Sequence, residues 1–403
     1  MSAALARIPF FFLAAAASLC WTGTAHANTF TLLYSFEGPR NNDGEYPLSL
    51  IEDGTGNLYG VTLYGGLYNY RNRQGYGTVF KFAADGTETV LHEFQNELPN
   101  GDLVIDPAGN LYGTWANLIF KLASDGTYST AFKFSNKSTS DGYLPFGPLY
   151  RDAQGRLYGP TQEGGTYNKG VIFRINTDGT ETVLHSFGGG GDGGRPNPVI
   201  ADGSGNLYGT TLIGGDAACG SEGCGTVFKI AADGTYSVLY AFQGGSDGEY
   251  PSSLLMDRQG NLIGVTGDGG GTSSCDDGCG TIFKLSPGGI EQVLYRFQGG
   301  SDGSAPFGLV ADRDGNLYGA TPNGGETMTS ECDEFDGCGT LYIFSTTGSK
   351  KVIRAFTGTH VDGRNPSGLL WSGAGYIYGV AAYGGVHPAE CQGGCGTIFK
   401  LVQ

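Results

Sequence analysis

GNLYGTTLIGGDAACGSEGCGTVFKI, residues 205–230, returns in variant form along most of the chain. Its head, Gly-Asn-Leu-Tyr-Gly with one or two substitutions, begins at Gly56, Gly109, Gly155, Gly205, Gly260, Gly315 and Gly375. Seven copies spaced 46 to 60 residues apart mark a repeat architecture. Within the copy, residues 198–201 form a short apolar strand, a. An Asp202-x-x-Gly205 turn leads to strand b at residues 207–211. After a Gly-Gly-containing loop comes the alternating, β-branched strand c at 226–230. An Asp233-Gly234 turn then gives strand d at 236–242. Four short antiparallel strands repeated seven times predict an all-β fold, a seven-bladed β-propeller of four-stranded antiparallel blades.

The turn chemistry agrees with this reading. The a–b turns carry Asp53, Asp106, Asp152, Asp202, Asp257 and Asp312, with Ser372 in the last copy. Such side chains close Asx-turns on backbone N–H groups two residues on, so they are read as turn formers and not as a catalytic array. The order of elements predicts how the ring closes. Residues 31–36, TLLYSF, match strand d, while the chain ends on residues 397–402, which match strand c. Pairing the first strand with the last would complete the seventh blade and cover two open edges. In the alternative phase each blade begins with its d strand and the ring has no such latch.

Glycine, at 73 of 403 residues, punctuates many short strands. Residues 1–27 read as a secretory signal: Arg7, an apolar stretch over 8–20, and Ala25-His26-Ala27 as a cleavage site. Residues 28–403 are then a single propeller domain with no membrane span, expected as a monomer in the periplasm or outside the cell. The net charge of −16 becomes −17 when that segment, with one arginine and no acid, is removed. Such acidity leaves no electrostatic footprint for nucleic acid.

The eight remaining cysteines form close pairs in the b–c loops: Cys219 with Cys224, Cys275 with Cys279, Cys332 with Cys338, and Cys391 with Cys395. In an exported chain such pairs read as disulfides. The rival reading is metal ligation, but no histidine recurs beside them.

The irregular d–a and b–c loops share one face, which places a candidate site there, around the central channel. The d–a loop carries Asp-Gly-x-x-Pro at Asp43, Asp141, Asp192, Asp247, Asp302 and Asp362. The second copy has Glu97-Leu98-Pro99 instead. These acids either brace their own loops or meet sugar hydroxyls or Ca²⁺ at the channel mouth. Calcium is the only cofactor suggested, and no Asp-x-Asp-x-Asp loop supports it. The second copy also lacks a b–c loop, leaving a low point at Trp115 where a ligand could enter. Tyr59, Tyr112, Tyr158, Tyr208, Tyr318 and Tyr378 read as blade packing, and Lys81, Lys121, Arg174, Lys229, Lys284 and Lys400 as a solvated strand position. His92 and His185 share a strand-d position with Tyr34, Lys133, Tyr240, Tyr295 and Arg354, a variety that suggests surface. His360 and His387 lie in loops with no nucleophile motif, and no Walker loop is present.

GNLYGTTLIGG…GTVFKI, GNLYGVTLYGG…GTVFKF and GYIYGVAAYGG…GTIFKL resemble the GloVer-type tandem repeat of choice-of-anchor tandem repeat GloVer-containing proteins, over about residues 31–403. The resemblance implies an exported, repeat-built bacterial protein, often held by a C-terminal anchor. It carries no catalytic residues to transfer. No sorting tail follows the last strand, so the expectation is a chain that is soluble or held non-covalently. The functional expectation is a non-enzymatic binding or scaffold module for a polysaccharide or a surface protein. The alternatives are a carbohydrate-active hydrolase or lyase using acids at the channel mouth, and a structural surface protein.

Overall fold

The structure is a computed structural model that describes residues 29–67, 75–95, 98–99, 101–135, 141–215, 217–325, 332, 337–359, 361–385, 391 and 393–402. The expected signal at 1–27 lies outside the described residues, as do Glu97, His360 and His387. The described chain folds into seven antiparallel sheets, each a blade of strands a to d, with no α-helix among the described residues. Blade 1 shows the plan: Gly44–Glu52, Leu58–Gly65, Thr78–Phe82 and Glu88–Glu93, each paired with the next. In blades 3 and 4 strand a is split in two, at Gly142–Pro145 with Tyr150–Arg151 and at Gly194–Pro196 with Ile200–Ala201. The a strands of adjacent blades touch one another, so they line the axis and the d strands lie outermost.

Blade 7 closes the ring through the latch. Its strands Arg364–Trp371, Tyr376–Tyr383 and Thr397–Val402 are completed by Thr29–Ser35, with Thr29 opposite Val402 and Ser35 opposite Thr397. A strand that would otherwise expose its N–H and C=O row is thereby paired.

Aromatic residues hold neighbouring blades together. Each d strand leads into a buried phenylalanine whose ring meets the strand-c aromatic of the next blade. The pairs are Phe36–Phe80, Phe94–Phe120, Phe134–Phe173, Phe187–Phe228, Phe242–Phe283, Phe297–Tyr342 and Phe356–Phe399, with centroids 4.9 to 5.5 Å apart. Seven such contacts close the circle, with geometry that favours edge-on aromatic pairs. The glycine in Leu-Tyr-Gly makes room for them. A Cβ on Gly60 would stand 2.4 Å from the Phe80 ring and from the Ser49 carbonyl, and Gly209 meets Phe228 in the same way.

The a–b and c–d turns occupy the opposite face, and there the acids, tyrosines and lysines of the motif serve one another. Asp202 Oδ1 accepts the N–H groups of Ser204 and Asn206, and Oδ2 accepts Asn206 Nδ2 and the Tyr208 hydroxyl at 3.1 Å. Tyr59, Tyr112, Tyr158 and Tyr318 bond Asp53, Asp106, Asp152 and Asp312 likewise. Lys81, Lys121 and Lys229 each lie 5.6 to 5.7 Å above one of these tyrosine rings, a cation–π arrangement. Burial works against the charge on Asp202, but the hydrogen bonds of its turn outweigh it and hold the carboxyl below the usual range. Among the described residues no helix is long and apolar enough to cross a membrane.

Candidate functional site

The opposite face holds the d–a and b–c loops. Each d–a loop must run from the outermost strand of one blade to the innermost strand of the next. The N–H group at its start needs an acceptor, and the loop aspartate supplies one. Asp43 accepts Glu37 N–H at 2.7 Å, Asp192 accepts Gly188 N–H at 2.6 Å, and Asp247 and Asp302 accept Gln243 and Gln298 N–H at 2.8 Å. Asp141 accepts Ser135 N–H at 2.9 Å and Asp362 accepts Thr357 N–H at 3.2 Å. Each also takes a side-chain donor. Tyr34, Tyr240 and Tyr295 donate hydroxyls at 2.9 Å to Asp43, Asp247 and Asp302; His185 Nε2 lies 3.0 Å from Asp192; and Arg354 meets Asp362 at 2.5 Å. The six carboxylates are thus fastened to the outer strands, each at its own seam, and are not gathered at one point.

This revises the reading of the variable strand-d position. Five of its members, Tyr34, His185, Tyr240, Tyr295 and Arg354, meet a loop carboxylate, which makes the position part of the scaffold and not free surface. The register also corrects the blade 2 member. Phe132 lies opposite Ile119, where His92 lies opposite Val79, while Lys133 is one residue further on, opposite Leu118. With no donor at Phe132, the Ser135 hydroxyl serves Asp141 instead, at 2.5 Å. His92 stacks on Tyr128 of the next blade at 4.1 Å.

Two residues past each aspartate-glycine, the backbone turns left-handed. Tyr46, Leu144, Arg195, Tyr250, Ala305 and Asn365 have φ between 51° and 61°, each directly before a proline. Side chains strain that conformation by about 1–2 kcal/mol per residue. Something must hold it, and the preceding blade does. The N–H groups of Tyr46, Tyr250, Ala305 and Asn365 donate to the carbonyls of Cys395, Cys224, Cys279 and Cys338 at 2.9 to 3.1 Å, and Arg195 donates to Lys169. Those cysteines are the second members of the four disulfides, which form as expected: Cys219–Cys224, Cys275–Cys279, Cys332–Cys338 and Cys391–Cys395. Each disulfide therefore fixes a loop whose carbonyl pins the next blade's strained residue.

Blade 2 lacks the loop, because its b and c strands are joined by Ala116 and Asn117 alone. The Asn117 side chain takes the loop's place. Its Oδ1 accepts Leu144 N–H at 3.2 Å, and its Nδ2 donates to the Phe134 and Ser135 carbonyls. Trp115 is half-buried and stacks on Phe94 at 5.5 Å, so its ring belongs to the interface of blades 1 and 2.

Strained residues in a ring around a channel are a recognised sign of a working surface. The mouth they surround is uneven. At the seam of blades 7 and 1, Tyr46 lies edge-on to Tyr383 at 5.0 Å and to Tyr64 at 6.2 Å, and the Arg364 guanidinium covers Tyr383 at 4.6 Å. Burial, then the neighbouring Tyr383, pushes the Tyr46 hydroxyl up. In blade 5, Glu249 faces Asp268 across the a–b pair. A hollow of about 330 Å³ opens beside them, lined by Asp268, Asp276, Asp277, Ser304 and Asn323. Burial and then the Asp277 charge push Asp268 up, and Glu249 is raised by burial, Asp268 and Asp277. Phe146 and Phe307, each directly after the repeated proline, stand 40 and 48 % exposed.

Cys219, Cys224 and Glu249 form the one close group of three metal-capable side chains among the described residues. The two sulfurs are bonded to each other, so this group does not offer the thiolates a metal site needs. The left-handed ring and Asn117's role were not read from sequence, although the residue before each repeated proline was there to prompt the question.

A model of the Gloeobacter/Verrucomicrobia repeat matches residues 115–332 and 272–403. The fold is similar to a streptogramin B lyase structure, with 12 % identity, TM-score 0.60, and 93 % of this chain and 97 % of that one covered. It is also similar to virginiamycin B lyase from Staphylococcus aureus, with 14 % identity, TM-score 0.59, and 93 and 100 % covered. Likeness at such identity speaks for the propeller fold alone. No curated protein matches the sequence.

Proposed function

We propose that this chain, which belongs to the Gloeobacter/Verrucomicrobia repeat family, is an exported, non-enzymatic binding module that takes a polysaccharide at the channel mouth on the d–a and b–c face. The observation that carries the reading is the ring of left-handed residues, with Tyr46 packed on Tyr383 at one seam and Tyr250 next to the Glu249–Asp268 carboxyls at another. Tyrosine rings offer flat apolar faces to sugar rings, and carboxylates accept their hydroxyls. A few polar groups set on a rigid aromatic floor is the usual composition of a small-molecule site. The four disulfides fit an oxidising compartment, in keeping with export.

The test is a glycan array followed by calorimetry. Tyr383→Ala should weaken retention of the bound glycan at least tenfold with the glycan left intact. If no polysaccharide is retained, or Tyr383→Ala binds as well as the parent, the reading fails. Retention of a cell-surface protein instead would move the same face to a protein partner. Adding Ca²⁺ after chelation tests whether a cation helps, since a bound ion would raise the melting temperature.

Blade 5 favours a second reading. Asp268 lines a polar hollow and faces Glu249, both carboxyls are raised, and a raised carboxyl can act as a general acid. A hydrolase or lyase acting here would release new chain ends from the polysaccharide, and Asp268→Asn would abolish the release.

A further inference from the structure

The blade seams contain a second repeated arrangement. In five of the seven blades the first residue of strand d, opposite the last residue of strand c, lies by the loop aspartate of the seam before it. In blade 6 that residue is Lys350, whose Nζ lies 2.6 Å from Asp302 Oδ1 and 2.5 Å from the Asp302 carbonyl. In blade 4 it is Tyr236, whose hydroxyl donates to the Asp192 carbonyl at 2.6 Å. In blades 1, 3 and 5 the same register position is Glu88, Glu181 or Glu291. Each of these glutamates has a buried Oε1 with no hydrogen-bond partner among the described residues. Each also feels the carboxylate of the preceding loop: Asp43, Asp141 and Asp247 respectively.

Where blade 6 sets a cation against an aspartate, three other seams set a second acid. Two carboxylates cannot share such a seam cheaply while both are charged. N–H and O–H donors already point at each aspartate, whereas the glutamate Oε1 atoms have none among the described residues, although burial raises the Asp43 carboxyl as well. We propose that Glu88, Glu181 and Glu291 carry protons in the closed ring, so that three blade seams tighten as pH falls through neutrality and loosen as it rises, while the Lys350 seam holds no such shared carboxyl proton.

The surroundings support this. Burial, then the adjoining aspartate, raises Glu88 to about 8 and Glu181 and Glu291 to about 7. The groups facing Glu88 are Asp43 and the Tyr34 hydroxyl, which the Asp43, Glu88 and Glu37 charges push up as well once burial has done so. Asp141 faces Glu181, and Asp247 and the Tyr240 hydroxyl face Glu291, whose own strand supplies Arg296 as an opposing influence. The sign follows from linkage. An unfolded glutamate ionises near the ordinary value of about 4.3. A raised folded value means that stability is fully present below the unfolded pKa and is lost as pH rises through the folded one.

The measurement is denaturant unfolding of the full chain from pH 6.5 to 9. Stability should fall with rising pH, the folding constant dropping on the order of tenfold per pH unit for each seam proton, with the slope fading above the folded pKa values. The triple variant Glu88→Gln, Glu181→Gln, Glu291→Gln should lose the slope and exceed the parent at pH 8.5. A flat or rising parental profile, or a triple variant that keeps the slope, overturns the proposal. If the triple variant does not fold, infrared difference spectra of the unaltered chain must show carboxylic-acid carbonyl absorption disappearing between pH 6.5 and 9. Its absence overturns the proposal equally.

Discussion

Lys350 and Asp302 make the seam of blades 5 and 6 the place where one substitution should be felt most. The Lys350 side chain is 1 % exposed, and its ammonium lies 5.0 to 5.6 Å from the centroids of Phe297, Tyr342 and Tyr295. Breaking a buried pair by removing one partner costs about 3–5 kcal/mol, because the other charge is left behind. The two partners differ in what remains. Lys350→Met leaves Asp302 with the Tyr295 hydroxyl and Gln298 N–H, so its cost should sit near the low end, about 3 kcal/mol. Asp302→Asn leaves the ammonium only the backbone carbonyl of residue 302 and the aromatic rings, with no carboxylate, and should cost about 4–5 kcal/mol. The double variant leaves no buried charge and should be far better than the sum, with a coupling of about 3 kcal/mol. Urea unfolding of the four proteins at pH 7 measures this. Purely additive effects, or single variants within about 1 kcal/mol of the parent, would refute the argument. One molar salt should change the outcome little, since screening acts weakly on buried charges.

Phe36→Ala should destabilise by about 3–5 kcal/mol, because a fully buried ring leaves the latch interface; a loss within 1 kcal/mol in a denaturant melt would show that the latch carries little load. Ala305→Gly should stabilise by up to about 1 kcal/mol, since glycine accepts φ 55° freely; calorimetry reads the shift, and clear destabilisation would count against strain there. On the acid side the histidines oppose the glutamates. Burial depresses His92 and His185, so below about pH 6.5 charging them in the unfolded chain weakens the fold. Asparagine at both positions should steepen the fall in stability with rising pH below about pH 6.5, because the glutamate contribution is then unopposed. Reducing the Cys219–Cys224 bridge should cost about 2 kcal/mol for so short a loop, and hydrogen exchange at Tyr250 N–H should quicken as its acceptor loosens.

The architecture was legible because period-2 strands and Asp-Gly turns report directly on backbone geometry. Asp202 and Asp233 announce their turns in any context, and the match of residues 31–36 to a d strand foretold the latch. The loops were less legible because their chemistry crosses blades. That Tyr34 serves Asp43, or that Cys224 holds Tyr250, depends on contacts between different repeats. The pairing of Glu88 with Asp43 joins residues 45 apart in sequence, and no local pattern signals it. The tyrosines of the Leu-Tyr-Gly motif were expected as packing residues; their hydroxyls also close the Asx-turns, a link visible only once strand b lies beside its own turn.

The latch also orders events in time. Thr29 meets Val402 and Ser35 meets Thr397, so the first described strand waits for the last one. Six blades can form from near neighbours as the chain emerges, but the seventh sheet is bound to be the slowest contact, separated by almost the whole length of the polypeptide. Until it forms, the Thr29–Ser35 strand offers an unpaired edge to any other chain nearby. An exchange of that strand between two molecules would satisfy the same hydrogen bonds, so crowding during refolding should yield interlocked dimers in place of closed rings.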